Sequence, residues 1–331
     1  MLAQKAKSIH PLLINPKDSE GTGLLNPSIL VDKDDIWINL RRVQYTLYHS
    51  EKKRYPHPWG PLCYLHPETD VKLRTTNYLG KLEHNFKMNW YRRVDTSLLD
   101  VTPIWEFVGL EDARLIKLDN RLFLCGVRRD TTPNGQGRME LSELEITSDS
   151  VREVSRTRIP APGDNNSYCE KNWMPIIGLP YHFMKWTNSS EIVRFDSEQR
   201  TTEVMHLNAL RTDLRDLRGG SQVIPYRDGW LACVHEVDLY FNEINQKDAT
   251  YRHRFVFWDK NWQLAKYSEP FSFLEGEVEF CCGIAEWRGD ILLTFGFQDN
   301  AAYLLQISSE VVDTYLSIHA PTQSINMVHK L

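Results

Sequence analysis

Two carboxylates and a guanidinium fall within four residues of one another in GLEDAR (Gly109 to Arg114), immediately ahead of a strand-like run. A carboxyl in a partly buried site can keep its proton near neutral pH, which is what a general acid needs. Strand alternation would send Glu111 and Asp112 to opposite faces, so that one meets substrate while the other is tied to Arg114 or to backbone. Asp112 is the candidate catalytic acid, with Glu111 and Arg114 as candidate substrate contacts. A structural carboxylate–arginine pair explains the same residues, and the motif by itself leaves both readings open.

Four further clusters carry chemistry. EKNW (Glu170 to Trp173) sets a cation, an amide and an indole side by side. Lys171 is suited to an anion such as phosphate, Asn172 to a hydroxyl, and Trp173 either to a sugar face or to the core. LRGGSQ (Leu217 to Gln222) combines Arg218 with a Gly-Gly pair, which reads as an anion cradle or as an ordinary turn. His235 and Glu236 form an acid/base or anion-binding pair in which Glu236 could serve as a base, although a single histidine at a strand end is often merely hydrogen-bonded. Asn26 in NPS and Asp299 in FGFQD complete the candidate substrate contacts.

These clusters need a scaffold that brings them together, and the sequence contains a repeat that does so. A polar cluster, a short apolar run, a tight turn and a second apolar run recur five times, from Asn26, Glu111, Lys171, Gly219 and Cys281. Asp34-Asp35, Asp119-Asn120, Asp228-Gly229 and Gly289-Asp290 supply turn residues tolerant of positive φ, and Pro180 marks the third hairpin. The expected fold is therefore all-β: a five-bladed β-propeller with a central polar channel, formed by residues 1–331 as one domain. In such a fold the first strands of the blades converge on one mouth, to which Ser221, Gln222 and Glu279 would also contribute. An insertion at about 50–100, rich in Pro and His from Tyr55 to Pro67, reads as a long loop in the first blade. Val204 to Leu217 and Ser308 to Ile318 read as helices.

The 331 residues are 41% hydrophobic and carry a net charge of −5 from 39 basic and 44 acidic residues. That balance offers no electrostatic footprint for a nucleic acid, while small anions remain compatible with it. There is no run of 18 or more apolar residues and no membrane partner is expected; the opening MLAQKAKSIHPLLINP lacks the pattern of a secretion signal, which points to the cytoplasm. The six cysteines show no zinc-ligand spacing, so neither a metal nor an organic cofactor is expected.

Taken in order from Asn26 to Asp299, the five clusters resemble glycoside hydrolase family 130, the mannoside phosphorylases and related inverting mannosidases, and the allied glycosyltransferase family 108. NPS resembles that family's Asn-Pro opening, GLEDAR its Glu-Asp-Pro-Arg motif, KNW its Lys-Asn-Trp, DGWLACVHE its Gly-Trp-Leu strand ending in His-Gly, and FGFQD its Tyr-Gly-Ala-Ala-Asp. The resemblance implies that Asp112 is the general acid, that Asp299 binds the adjacent sugar, and that Lys171 and His235 lie where phosphate is held. Ala113, Glu236 and Gln298 depart from the family pattern.

An inverting hydrolase needs a second carboxylate as base, whereas a phosphorylase puts phosphate in its place and needs a cationic pocket. Lys171, Arg218 and His235 favour phosphate or a phosphorylated donor; Glu236 argues for water. The expectation is a carbohydrate-active enzyme acting with inversion on a β-mannoside-type bond of an oligosaccharide or glycan. Phosphorolysis or sugar transfer stands ahead of hydrolysis, with inorganic phosphate or a sugar phosphate as co-substrate. A non-catalytic glycan-binding propeller serving a glycosyltransferase is the alternative of another class.

Overall fold

In the computed structural model all five expected hairpins form, each as the start of an antiparallel meander. The described residues are 1–44, 46–48, 63–65, 72–132, 134–163, 167–211, 214, 217–241, 243 and 247–320. The first meander runs Leu24–Asp32, Asp35–Val43, Leu73–Leu82, Met88–Asp95. The second runs Glu111–Leu118, Arg121–Arg128, Arg138–Ile146, Val151–Arg158. A short parallel contact, Val94 and Asp95 against Val151 and Arg152, joins their outer strands.

The third meander runs Met174–Pro175, His182–Trp186, Glu191–Asp196, Thr201–His206. The fourth begins with Leu217–Arg218 and Ile224–Tyr226, both paired to Gly229–Phe241, and continues through Lys247–Asp259 and Leu264–Tyr267. The fifth takes Glu279–Trp287, Asp290–Phe297 and Ala301–Ser308 from late in the chain and its outer strand, Ser8–Pro11, from the beginning. Pairing the two chain ends in one sheet covers an edge that would otherwise present unpaired backbone.

The strands read as apolar runs because sheets packed on both faces bury every residue, not every second one. Ile291, Leu292 and Leu293 are consecutive and all fully buried. Between the first strands of the meanders the space is occupied by polar cross-links. Gln222 donates its amide to the carbonyls of Ile29 and Leu115 (2.8 and 3.0 Å) and accepts from the amide of Ile284 (3.1 Å), tying four meanders together. Ser28 donates to the carbonyl of Ala113 (2.7 Å) and accepts from the amide of Leu115 (2.9 Å). Ser221 and Gln222 are thus framework residues and not part of a polar mouth.

Three turns lie one residue earlier than their composition suggests. Asp32 pairs with Asp35, Tyr226 with Gly229 and Trp287 with Asp290, so the turns are Lys33-Asp34, Arg227-Asp228 and Arg288-Gly289. Lys33, Arg227 and Arg288 carry the positive φ; register is decided by which residues must face the core, and the turn follows. The helix expected over Val204 to Leu217 is absent where described: Thr201–His206 is a strand. The helix near Ser308 forms as Ser309–Tyr315, with the Ser308 side chain accepting from the Val311 amide. In the expected insertion, Leu73 to Asp95 supplies two strands of the first meander; most of the Pro- and His-rich segment lies outside the described residues. Among the described residues no helix is long and apolar enough to cross a membrane.

Candidate functional site

The first strands are irregular where the polar clusters sit. The ladder slips between Leu25 and Ser28 and again between Arg114 and Glu111. Asn26, Asp112 and Asn172 all adopt left-handed backbone (φ 43°, 48° and 60°). Asn and Asp tolerate that region better than most residues, and a bulge re-aims the side chains around it. The consequence overturns the alternation expected at GLEDAR: Glu111 and Asp112 both line one cavity of about 500 Å³.

Asp112 is held in place within it. Its Oδ1 accepts from Asn26 Nδ2 and from Arg41 Nη1, each at 2.7 Å, and its side chain is 20% exposed. Arg41 is oriented in turn by Thr75 Oγ1, which accepts from its Nε (3.2 Å) and Nη2 (3.1 Å). Burial pushes the Asp112 carboxyl up, but Arg41, Arg114, Asn26 and Lys171 outweigh it and hold it below the ordinary carboxylate range. Glu111 goes the other way: burial raises its carboxyl, and Asp112 adds to the rise against Arg41, Arg129 and Lys171. The expected raised carboxyl therefore belongs to Glu111 and not to Asp112.

Cations dominate the wall formed by the second, third and fourth meanders and the segments that lead into them. Arg129, Lys171, Lys185 and Arg218 all line the cavity. Lys185 is bound to Glu191 at 3.3 Å. Arg129 donates to the Gly135 carbonyl (3.0 Å) and the Tyr168 hydroxyl (3.1 Å), and Arg218 lies over the Trp186 ring at 5.9 Å. Lys171 is exposed to the cavity and forms no hydrogen bond or ion pair with the described residues. His235 is 3% exposed, stacked on Tyr251 (5.4 Å between centroids, 10° between planes) and edge-on to Phe280. Burial, then His253, Lys171, Arg114 and Arg218, push its pKa well below the ordinary value. It is a neutral imidazole at neutral pH, able to donate one N–H to an anion but not to add charge. Asp299 and Asn172 also line the cavity.

Several sequence candidates take other roles. Glu236 follows His235 on a regular strand and so faces the other way, where it accepts from Arg254 Nε at 3.1 Å; it does not line the cavity and is not placed to be a base. Arg114 is 1% exposed and outside the cavity lining, and donates to the carbonyls of Asp112 (2.7 Å) and Gly220 (2.6 and 2.9 Å). It shapes the bulge beneath Asp112 and does not line the cavity. Trp173 edges the cavity but is 1% exposed, packs on Phe183 and donates its Nε1 to Glu170 (3.1 Å), so the core reading holds. Glu279 is fully buried and accepts from the amides of Phe273, Leu274 and Gly276 (2.5, 2.7 and 2.9 Å). The Gly-Gly pair is a close-packing device: a Cβ on Gly219 would stand 1.8 Å from the Asn172 carbonyl oxygen, and one on Gly220 2.3 Å from that of Cys233.

Alternation, read further, decides which of two neighbouring residues enters the cavity. Arg41 enters the cavity while Arg42 turns away to Ser19, Thr22 and Glu20. Phe280 enters while Glu279 turns away, and Val237, Leu239 and Tyr251 continue the face that His235 begins. Phe107 had no sequence signal. Among the described residues no group of three or more His, Cys, Asp or Glu is disposed to hold a metal, and Cys125, Cys169, Cys233, Cys281 and Cys282 are free thiols.

No family model and no curated protein matches the sequence. Solved structures do match in shape. A β-1,2-mannobiose phosphorylase from Listeria innocua, in complex with β-1,2-mannobiose, superimposes with a TM-score of 0.55 at 15% identity, covering 93% of this chain and 96% of the other. A mannose phosphorylase from Leishmania mexicana, bound to phosphate ion, gives 0.51 at 12% identity over 98% and 96%. A GDP-Man-dependent mannosyltransferase from Leishmania mexicana gives 0.51 at 12% identity over 97% and 94%. At these identities the likeness is one of fold: the chain shares its all-β architecture, over nearly its whole length, with enzymes that handle mannose in more than one way.

Proposed function

We propose that the chain is a five-bladed β-propeller, each meander a blade, whose cavity catalyses inverting phosphorolysis of a β-mannoside-type bond in an oligosaccharide or the related transfer from a sugar phosphate. The observation that carries this reading is an oriented carboxylate, Asp112, sharing a cavity with the ammonium of Lys171, which is unpaired among the described residues. A hydrolase needs a base in that space: Glu236 is on the far face, Glu170 is occupied by Ser167 Oγ (2.6 Å) and Trp173 Nε1 (3.1 Å), Glu111 is pushed by burial toward its protonated form, which cannot take a proton from water, and Asp299 is assigned to the sugar. The solved relatives act on mannose-containing molecules, and one holds phosphate.

In this mechanism phosphate, held by Lys171, Arg218 and the His235 N–H, attacks the anomeric carbon on the face opposite the bridging oxygen. The C–O bond breaks, Asp112, protonated from solvent once phosphate is bound, donates that proton to the leaving oxygen, directly or through a substrate hydroxyl, and an α-sugar 1-phosphate is released. Asp299, Asn172 and Asn26 hold the sugar. Phosphate also offsets the cationic field that keeps Asp112 ionised, so its arrival raises the Asp112 pKa and lets it carry the proton. The test is incubation with β-linked manno-oligosaccharides, with and without phosphate, and with mannose 1-phosphate plus acceptor. Sugar phosphate that forms only with phosphate supports the reading, and free mannose formed at the same rate without it refutes it.

A second reading follows from the raised carboxyl of Glu111, which would make Glu111 the proton donor. Asp112 is favoured because Asn26 and Arg41 orient it, whereas the Glu111 side chain has no partner among the described residues to fix its aim.

Two variants probe the surroundings. Glu236→Gln should change kcat/KM by less than about twofold, as for a substitution outside the site, and a loss above a hundredfold in steady-state assays would restore it as a base. Arg41→Gln removes a cation that lowers the Asp112 pKa, so that pKa rises. For a general acid, activity falls where the group deprotonates, so the alkaline limb of the kcat/KM profile should move to higher pH; a shift to lower pH would contradict the pairing.

A further inference from the structure

We infer that the outer part of the cavity is a subsite for an apolar chain, the alkyl aglycone of a glycoside, lying along the hairpin Gly229–Phe241 and Lys247–Asp259. This rests on the reading of the Asp112 cavity as a glycoside site. The hairpin strands are thirteen residues each and pair along their entire length. From the cavity floor outward, every second residue of the first strand lines the cavity: His235, Val237, Leu239. Opposite them, Tyr251 pairs with Val237 and Ala249 with Leu239, and Val278 packs with Ala249, Val237 and Tyr251. Burial falls along the same line, from 3% exposure at His235 to 64% at Leu239.

The two faces of the hairpin differ in kind. The face turned away carries Glu236, Asp238, Thr250 and Arg252; the face turned to the cavity beyond His235 offers only one hydroxyl, that of Tyr251 at its inner end. A second sugar ring placed against Val237 and Leu239 would find on those side chains no partner for its hydroxyls and, beyond Tyr251, no flat ring on this hairpin for its C–H face. An alkyl chain needs neither. A large apolar side chain left exposed at the lip of a polar cavity, and continuous with it, is the expected mark of a ligand surface.

The test is calorimetric binding of methyl and hexyl β-D-mannopyranoside to the full chain in the presence of phosphate, with release of mannose 1-phosphate followed in parallel. Hexyl should bind roughly tenfold tighter, one wall covering only part of each methylene. Leu239→Asp, at an exposed position that folding does not depend on, should cut the hexyl-to-methyl ratio to within about twofold; Val237→Thr, similar in shape, should cut it partly. Equal affinity for the two glycosides, a ratio that survives Leu239→Asp, or failure of both to bind would overturn the subsite. If the Leu239-dependent preference appears without any sugar phosphate, the subsite stands and the reaction falls. If β-1,2-mannobiose is phosphorolysed while the two glycosides bind alike, the reaction stands and the subsite falls.

Discussion

Asp112→Asn is expected to reduce kcat on an unactivated glycoside by roughly a thousandfold while leaving KM within a fewfold of its original value. General acid catalysis contributes about 10²- to 10⁴-fold, and an amide of the same shape has no proton of suitable acidity to give. The substitution is conservative for the site: an Asn oxygen can still accept from Asn26 Nδ2 and Arg41 Nη1, which both meet the same carboxylate oxygen in the native protein. The decisive comparison is with a nitrophenyl glycoside, whose leaving group departs without a proton. If Asp112 is the acid, the variant should lose far less on the activated substrate than on the alkyl or sugar one. Equal losses on both would mean that Asp112 only shapes the bulge. A full loss with Glu111→Gln and retained activity with Asp112→Asn would transfer the acid to Glu111.

Glu279→Ala should be the most destabilising single change at the rim of the site, lowering the free energy of unfolding by about 3–6 kcal/mol in urea or thermal denaturation. The carboxylate is fully buried and is the acceptor for three backbone amides, those of Phe273, Leu274 and Gly276. Each buried donor left without a partner costs about 1–3 kcal/mol, and a whole domain is stable by only about 5–15 kcal/mol. Glu279→Gln, which keeps one acceptor oxygen, should fall between the two. A loss below about 1 kcal/mol for the alanine variant would show that the loop from Phe273 to Gly276 holds its shape without this anchor. The same residue read as a mouth ligand would instead give a stable protein with weakened substrate binding.

The contrast between Glu279 and Phe280 shows where sequence reading ends. Polar residues clustered ahead of an apolar run mark the end of a first strand, and five such clusters give five hairpins; both were legible because apolar runs and turn composition are local properties. Which member of a cluster faces the cavity depends on register and bulges, and these are set by contacts across the sheet. Glu236 and Glu279 have the chemistry expected of site residues and point elsewhere; Val237 and Phe280, their neighbours, form the wall. Arg41 and Arg42 are indistinguishable as residue types, and only pairing with Leu24 and Leu25 separates them. The bulge at Asp112 brings Glu111 to the same side, and with it a pair of carboxyls pushed in opposite directions.

The amino-acid order alone determined the all-β character, the positions of the hairpins and the short set of residues in which the site would be found, since each of these follows from patterns a few residues long. The tertiary structure decided which of them meet: that Asn26, Arg41, Asp112 and Lys171, from three different meanders, share one cavity, that His235 is neutral there, and that Arg114, Glu236 and Glu279 serve the framework. The physical reason is that side-chain direction, desolvation and charge–charge coupling are properties of the assembled environment. They arise between segments far apart in the chain, such as Arg41 and Asp112, 71 residues apart, and have no counterpart in any one of them.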